Sequence, residues 1–245
     1  FDVHIQPVYS AKTMEIVSVE ALLRWQHQTL GLLEAESFLE AAAQFGFQRQ
    51  IDMFAFEQAK AVLNDMAMRG ADIPAVSLNF WMESFSNLDF VNHIIRNFDK
   101  FPCPLSIEVI NPHAQSDPRS VWALDRLREA GVDIQLDDFG EDTGSVTGLV
   151  ELQPRSIKIG AGLTARAIGD TRRTKLLTSI IDMAHAQDIQ VGAKGIEALD
   201  QIAPLQKLGC DTLQGRALTG PMAHDELFHC LTQSGSQSQA KSSVS

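Results

Sequence analysis

VDIQLDDFG, residues 132–140, decides the fold because it has the pattern of a buried strand that ends in two adjacent carboxylates and a glycine. The neighbouring carboxylates of Asp137 and Asp138 are costly at a strand end unless a cation or hydrogen-bond donors satisfy them. Read alone, the pair fits a surface turn equally well. Other strand-like segments also end in polar residues, however, and together these residues make a set of metal ligands.

Strand-like and helix-like segments alternate on both sides of this stretch. Strands are predicted at 1–9, 15–25, 75–80, 104–109, 133–138, 156–159, 189–194 and 211–215. Helices are predicted at 36–45, 50–68, 84–98, 118–130, 171–186 and 199–208. The helix over 118–130 has Asp117 as its cap, Pro118 at its first position and Gly131 after its end. The apolar face of the helix over 50–68 is predicted to hold Ile51, Phe54, Ala55, Ala59 and Val62.

This order of elements predicts an α/β fold, with a (β/α)8 barrel as the first choice. A doubly wound open sheet is the alternative. No GxGxxG motif follows the first strand, which weakens the case for a dinucleotide site.

Composition narrows the function classes. The chain has 245 residues, of which 44% are hydrophobic, and a net charge of −11 with a pI near 5.0. A protein that binds duplex nucleic acid is usually basic, so DNA and RNA duplexes are poor candidate partners. A small anionic ligand would need local cations or a metal ion.

The cysteines and the termini bear on location and domain organisation. Cys103, Cys210 and Cys230 are far apart and form no CxxC motif, which predicts reduced thiols and a cytosolic setting. No apolar run approaches the ~20 residues that span a bilayer, and no signal peptide is recognisable. Because strand-like sequence starts at Phe1, we expect a domain of a longer protein, which could be anchored to a membrane elsewhere. The Ser/Gln-rich residues 233–245 are predicted to be a disordered tail.

In a β/α barrel the carboxyl ends of the strands share one rim, where active sites lie. The polar residues near the predicted strand ends are Glu20, Asn79, Glu108, Asp137, Asp138, Lys158, Lys194 and Gln214. Their oxygen ligands suit Mg²⁺ or Mn²⁺ rather than zinc, and Lys158 and Arg24 supply positive charge for a phosphate. A metal-dependent lyase with Lys158 as its base fits the same pattern, and loop amides could satisfy some of these side chains instead.

A set of motifs resembles the EAL domain family, in the family's order from Phe1 to about Leu227. The motifs are Gln6-Pro7, Glu20-Ala21-Leu22-Leu23-Arg24-Trp25, Asn79, Ile107-Glu108, Asp137-Asp138-Phe139-Gly140, Lys158-Ile159, Gly209-Cys210-Asp211 and Gln214-Gly215. The resemblance implies a modified (β/α)8 TIM-like barrel whose first strand is antiparallel to the others. It also implies a Mg²⁺- or Mn²⁺-dependent phosphodiesterase that cuts cyclic di-GMP to linear pGpG by two-metal hydrolysis.

The resemblance assigns roles to individual residues. The first metal would be held by Glu20, Asn79, Glu108 and Asp137, and Asp138 would join Asp137 at the second. Lys158 would lie beside the attacking water and, with Glu20, form the catalytic pair. The substrate would be bound by Gln6, Pro7, Leu23, Arg24, Asn79, Asp138, Lys158, Glu197 and Gln214.

The chain departs from the family at several of these motifs. Lys194 stands where the family usually has a glutamate, Gly160 where it has an aspartate, and Asn111 where it has the glutamate that anchors the loop after the Asp pair. That loop is itself changed, to GEDTGSV over 140–146. Like charges ~4 Å apart cost on the order of 4 kcal/mol at an effective dielectric of 20. Lys194 should therefore discourage a metal there, and it could replace one by pairing with Asp138 or with a ligand phosphate.

These departures predict a degenerate EAL domain over residues 1–232. We expect it to bind cyclic di-GMP as a receptor module of bacterial second-messenger signalling, with little or no hydrolysis. One Mg²⁺ or Mn²⁺ ion, or none, would be bound. An active phosphodiesterase and a protein-interaction domain that no longer binds nucleotide are the alternatives. A homodimer and attached or partner signalling domains are further expected partners.

Overall fold

A computed structural model describes residues 1–110, 117–140 and 145–232, with the side chains of 145–148 left out. The described residues form nine strands: β1 (Asp2–Ser10), β2 (Ile16–His27), β3 (Gly31–Glu34), β4 (Val76–Trp81), β5 (Leu105–Ile110), β6 (Asp133–Phe139), β7 (Ser156–Ile159), β8 (Gln190–Ala193) and β9 (Thr212–Leu213). The helices are α1 (Leu39–Gln44), α2 (Gln48–Met68), α3 (Leu88–Asn97), α4 (Pro118–Ala130), α5 (Ser145–Leu152), α6 (Ala161–Ala167), α7 (Thr171–His185), α8 (Ile202–Leu208) and α9 (224–232).

Eight of the strands close into a barrel. The sheet order is β1-β9-β8-β7-β6-β5-β4-β2-β3, and the additional pairing of β1 with β2 closes the ring. β1 is antiparallel to both of its neighbours, whereas β2 and β4 to β9 pair in parallel. The barrel prediction and the antiparallel first strand are confirmed, and the open doubly wound sheet is wrong.

The sequence reading missed two elements that border the candidate site. β3 pairs antiparallel with the end of β2, and α6 follows β7 directly. Both are short, and their sequences, GLLE and AGLTARA, are too brief to show a periodicity. The cap signals of α4 are confirmed, since the Asp117 side chain accepts from the Arg119 backbone N–H and Gly131 has a φ of +102°.

The buried face of α2 differs from the predicted one. It consists of Asp52, Phe56, Ala59, Leu63 and Met66, and only Ala59 belongs to the predicted set. The apolar pattern was misleading because Ile51 and Phe54 line a separate apolar pocket on the outside of the barrel. The buried carboxylate of Asp52 instead accepts hydrogen bonds from the Trp81 backbone and the Ser84 hydroxyl, which ties α2 to the end of β4.

Asn111 lies outside the described residues, as do 141–144 of the altered loop and the tail 233–245. In the described part of the chain, no helix is long and apolar enough to cross a membrane.

Candidate functional site

The floor of the candidate site is a buried network centred on Glu20, in the interior of β2. Glu20 accepts hydrogen bonds from Lys158 Nζ at 2.7 Å, Gln214 Nε2 at 2.7 Å and Asn79 Nδ2 at 2.6 Å. Burial alone would raise the pKa of Glu20, but the charge of Lys158 and these three hydrogen bonds lower it to about 2. Glu20 is therefore a permanent carboxylate at the bottom of the site.

Lys158 on β7 links Glu20 on β2 to Glu108 on β5 across the barrel interior. Its Nζ also lies 2.5 Å from Glu108 Oε1, while Glu108 Oε2 is buried without a hydrogen-bond partner. Burial and the negative charge of Glu20 raise the pKa of Glu108 to about 7. The pKa of Lys158 is raised because the carboxylates of Glu108 and Glu20 outweigh its burial. The floor thus holds a fixed ammonium and one oxygen that a proton or a cation would satisfy.

The Asp137-Asp138 pair is turned toward a single ammonium by an irregular strand end. Successive side chains of a regular strand face opposite sides, but the β6–β7 register shifts between Leu136 and Phe139, and Asp138 has a φ of +51°. Lys194 Nζ consequently lies 2.7 Å from Asp137 Oδ2 and 2.8 Å from Asp138 Oδ1. The charges of these carboxylates outweigh burial and raise the pKa of Lys194, so it stays protonated.

Close backbone packing fixes the position of the Lys194 backbone. The next residue, Gly195, has a φ of +73°, and a Cβ there would lie 2.3 Å from the Cβ of Ala161 at the start of α6. Gly160, the N-cap residue before α6, carries no carboxylate on this side of the site. The ammonium of Lys194 is therefore the group that compensates the Asp pair here.

These residues fit one divalent ion by donor chemistry, but not two. Glu20, Glu108 and Asp137 offer hard oxygen ligands, and the unpartnered Oε2 of Glu108 is available to a cation. No three His, Cys, Asp or Glu side chains of the described ranges converge closely enough to hold a metal. Lys158 Nζ lies between Glu20 and Glu108, 2.7 and 2.5 Å from their oxygens. A second ion between Asp137 and Asp138 would meet the ammonium of Lys194.

A cavity of about 270 Å³ opens above this floor. Five of the predicted ligand-binding or metal-ligating residues line it, namely Gln6, Glu20, Arg24, Glu197 and Gln214, together with Lys194. Gln6 pairs with Glu20 across β1 and β2, donates to the Thr219 carbonyl at 2.9 Å and accepts from Gln214 at 3.2 Å. The antiparallel first strand therefore contributes directly to the cavity.

Two predicted ligand-binding residues lie elsewhere. Strand alternation turns Leu22 into the cavity and Leu23 to the outer face of the barrel, where Leu23 lines the apolar pocket with Trp25. Leu22 rather than Leu23 lines the cavity, and ligand binding by Leu23 stays a prediction. Pro7 follows Gln6 on β1 and is buried outside the cavity lining. Asn79 and Lys158 donate hydrogen bonds to Glu20 in the floor of the site. Asp138 contacts Lys194 at the rim, and none of the three lines the cavity.

Sequence reasoning missed several lining residues, among them Glu34, Glu36, Ala161, Arg216 and Pro221. Glu34 is the last residue of the short strand β3, Glu36 lies in the 3-10 turn that follows it, and Ala161 begins the short helix α6. Arg216 comes two residues after Gln214, so the Gln214-Gly215 motif could have indicated that it lies at the rim.

The barrel carries carboxylate, amide and lysine side chains at one rim beside a cavity of about 270 Å³, and this rim is where β/α barrels have their active sites. The family model of the EAL domain matches residues 1–221. The chain therefore belongs to the EAL domain family.

Curated relatives and solved structures agree with this assignment. The chain is 28% identical over 225 residues to the cyclic di-GMP phosphodiesterase NbdA of Pseudomonas aeruginosa, a match that covers 90% of this chain and 29% of NbdA. It is 28% identical over 229 residues to the bifunctional diguanylate cyclase/cyclic di-GMP phosphodiesterase MucR of the same species, covering 92% of this chain and 33% of MucR. The chain thus spans about a third or less of these relatives.

The solved PaMucR phosphodiesterase in complex with c-di-GMP superimposes with a TM-score of 0.82 at 28% identity, covering 92% of this chain and 93% of that one. The EAL enzyme Bd1971, in a form with cAMP and cyclic di-GMP bound, has a TM-score of 0.84 at 23% identity, covering 94% of this chain and 64% of that one. At that identity the second likeness supports the fold.

Proposed function

We propose that this EAL domain is a cyclic di-GMP receptor that hydrolyses its ligand very slowly or not at all. The observation that carries the proposal is the ammonium of Lys194, which lies 2.7 and 2.8 Å from the carboxylates of Asp137 and Asp138. The resemblance assigns these two carboxylates to a second metal ion. A divalent cation would face a repulsion on the order of 4 kcal/mol per unit charge at ~4 Å from this ammonium.

Ligand binding is supported by the part of the site that follows the family pattern. Hydrogen bonds join Gln214 to Gln6 and Glu20, and Arg24 lines the same cavity as these three residues. NbdA is a cyclic di-GMP phosphodiesterase, and the solved PaMucR structure has c-di-GMP bound. Phosphate and base contacts do not need the second ion. Loss of that ion would remove the metal-bound hydroxide on which two-metal hydrolysis depends.

An active Mg²⁺- or Mn²⁺-dependent phosphodiesterase is the second candidate function. The unpartnered Oε2 of Glu108 favours it, because a buried carboxylate oxygen without a donor is a natural ligand for one ion. In this alternative Lys158 and Glu20 are the catalytic pair, and a single ion has to supply the chemistry that two supply in the two-metal mechanism.

The test is calorimetric titration of cyclic di-GMP into the protein, first with Mg²⁺ and then with EDTA, followed by chromatography of the recovered nucleotide. Binding in both conditions with intact ligand is the expected result. Recovery of pGpG that disappears in the matched Glu20→Ala variant would make the protein an enzyme. No heat and no product would instead favour a protein-interaction domain.

The same proposal extends to the wider protein. We expect the domain to pass the ligand signal to attached or partner signalling domains, since the relatives are about three times longer than this chain. We expect homodimer formation as well, and sedimentation with and without cyclic di-GMP tests it.

A further inference from the structure

The cations at this end of the barrel differ in how firmly they are already paired. Lys158 and Lys194 each contact two carboxylates at 2.8 Å or less. Arg24 donates to the backbone carbonyl of Leu23, and Arg216 contacts the exposed carboxylate of Glu34 at 3.2 and 3.4 Å. The two arginines are therefore the cations with charge available to an incoming anion.

The position of Arg216 at the cavity mouth is set by its backbone rather than by its side chain. Gly215 packs so closely on the chain after β8 that a Cβ there would lie 2.2 Å from the carbonyl oxygen of Ile196. Backbone hydrogen bonds join Ile196 to Gln214 at 3.1 Å and to Ala217 at 2.9 Å. The backbone of Arg216 is thus fixed at the cavity mouth, and its side chain is largely exposed.

Arg216 and Arg24 face the same cavity, and their charges act on each other. Burial lowers the pKa of Arg24, the charge of Glu34 opposes this, and the charge of Arg216 lowers it further. Glu34 pairs with Arg24 across β2 and β3 and contacts the guanidinium of Arg216. An anion of similar shape would meet the same two arginines. Guanidinium groups bind carboxylates and phosphates in the same bidentate manner.

We propose that Arg216 is a ligand-binding residue that exchanges the carboxylate of Glu34 for a phosphodiester group of the bound nucleotide. The inference rests on the proposed function, because the ligand is the same cyclic dinucleotide. Such a ligand carries two phosphodiester charges, and the buried Arg24 and the mouth residue Arg216 supply one available guanidinium for each. The exchange costs little, since an ion pair between exposed side chains contributes little to stability.

The test is a double-mutant cycle in calorimetry with cyclic di-GMP, using the Arg216→Gln, Glu34→Gln and doubly substituted variants. We expect Arg216→Gln to weaken binding about tenfold. Glu34→Gln should tighten binding a few-fold in the parent protein, because it removes the competing carboxylate, and have a smaller effect when Arg216 is already replaced, because only its charge beside Arg24 is then removed. Arg119→Gln, an exposed arginine on α4, is the matched control and should leave the affinity unchanged.

Two results would overturn the inference while the proposed function stands: Arg216→Gln binds as tightly as the parent, or Glu34→Gln has the same effect in both backgrounds. If the parent protein binds no cyclic di-GMP, the proposed function and this inference fail together. Both side chains are largely exposed, so the melting temperatures of the variants should match the parent and exclude misfolding.

Discussion

The charged side chains are paired differently in the two halves of the barrel rim. On the side of β1, β2 and β9, Gln6, Glu20 and Gln214 form a hydrogen-bonded network that leaves Arg24 open to the cavity. On the side of β6 to β8, the carboxylates of Asp137 and Asp138 are neutralised by a lysine of the chain itself. One half is arranged to receive a ligand, and the other already contains its own cation.

This difference shows how binding and hydrolysis can separate in one barrel. In the proposed function the first half would recognise an anionic ligand in its ground state, whereas a second metal would stabilise charge that develops only during hydrolysis. An ammonium in place of a divalent ion still pairs with the Asp carboxylates, with one positive charge rather than two, but it supplies no Lewis acid for hydrolysis.

The largest expected effect is on the ligand-binding half. Arg24→Ala should weaken cyclic di-GMP binding by roughly 100-fold or more, because it removes a buried guanidinium available to a phosphate. Calorimetry beside the exposed control Arg119→Ala measures this. An affinity within a few-fold of the parent would remove Arg24 from the ligand site and break the contrast between the two halves.

Glu108 lies between the halves and gives a pH-dependent prediction. Its folded pKa of about 7 lies above its ordinary value of 4.5, so the folded state holds the proton more tightly and loses stability as the pH rises through this window. Glu20, with a folded pKa of about 2, contributes fully above 4.5 and stays constant there. In EDTA, the parent should lose on the order of 2 kcal/mol of unfolding free energy between about pH 5 and about pH 8 relative to Glu108→Gln.

Urea denaturation of both proteins at the two pH values checks this difference. Parallel losses in the parent and in Glu108→Gln would show that the carboxyl is already ionised at the lower pH. In that case an internal cation satisfies Glu108 more fully than the geometry of Lys158 indicates.

The smallest expected effect on binding distinguishes Leu22 from its neighbour. Leu22→Ala should weaken cyclic di-GMP binding a few-fold, since it removes apolar contact from the cavity wall. Leu23→Ala should leave the affinity unchanged and lower the unfolding free energy by about 2–4 kcal/mol, because Leu23 is buried on the outer face. The reverse pattern would show that β2 faces the ligand in the opposite register.

Strand positions and their rim residues could be predicted from sequence because each strand carries its own local signal. The short elements β3 and α6 could not be predicted, so the lining residues Glu34, Glu36 and Ala161, which lie in or next to them, were missed as well. The facing of Leu22 and Leu23 depends on the register of β2 against β1, which no local pattern fixes.

The pairing of Lys194 with the Asp pair was foreseen only in part. Its charge and position suggested a contact with Asp138, but the contact with both carboxylates depends on the irregular end of β6 and on the positive φ of Asp138. Such backbone irregularities arise from tertiary packing and leave no reliable mark in a single sequence.

The most direct test of the central claim is the metal dependence of cyclic di-GMP binding in the parent and in Lys194→Glu. If Lys194 takes the place of the second ion, the parent should bind equally in Mg²⁺ and in EDTA. Lys194→Glu should then lose about tenfold or more of its affinity in EDTA and recover it with Mg²⁺. Binding by the parent that falls in EDTA as far as that of Lys194→Glu would contradict the account.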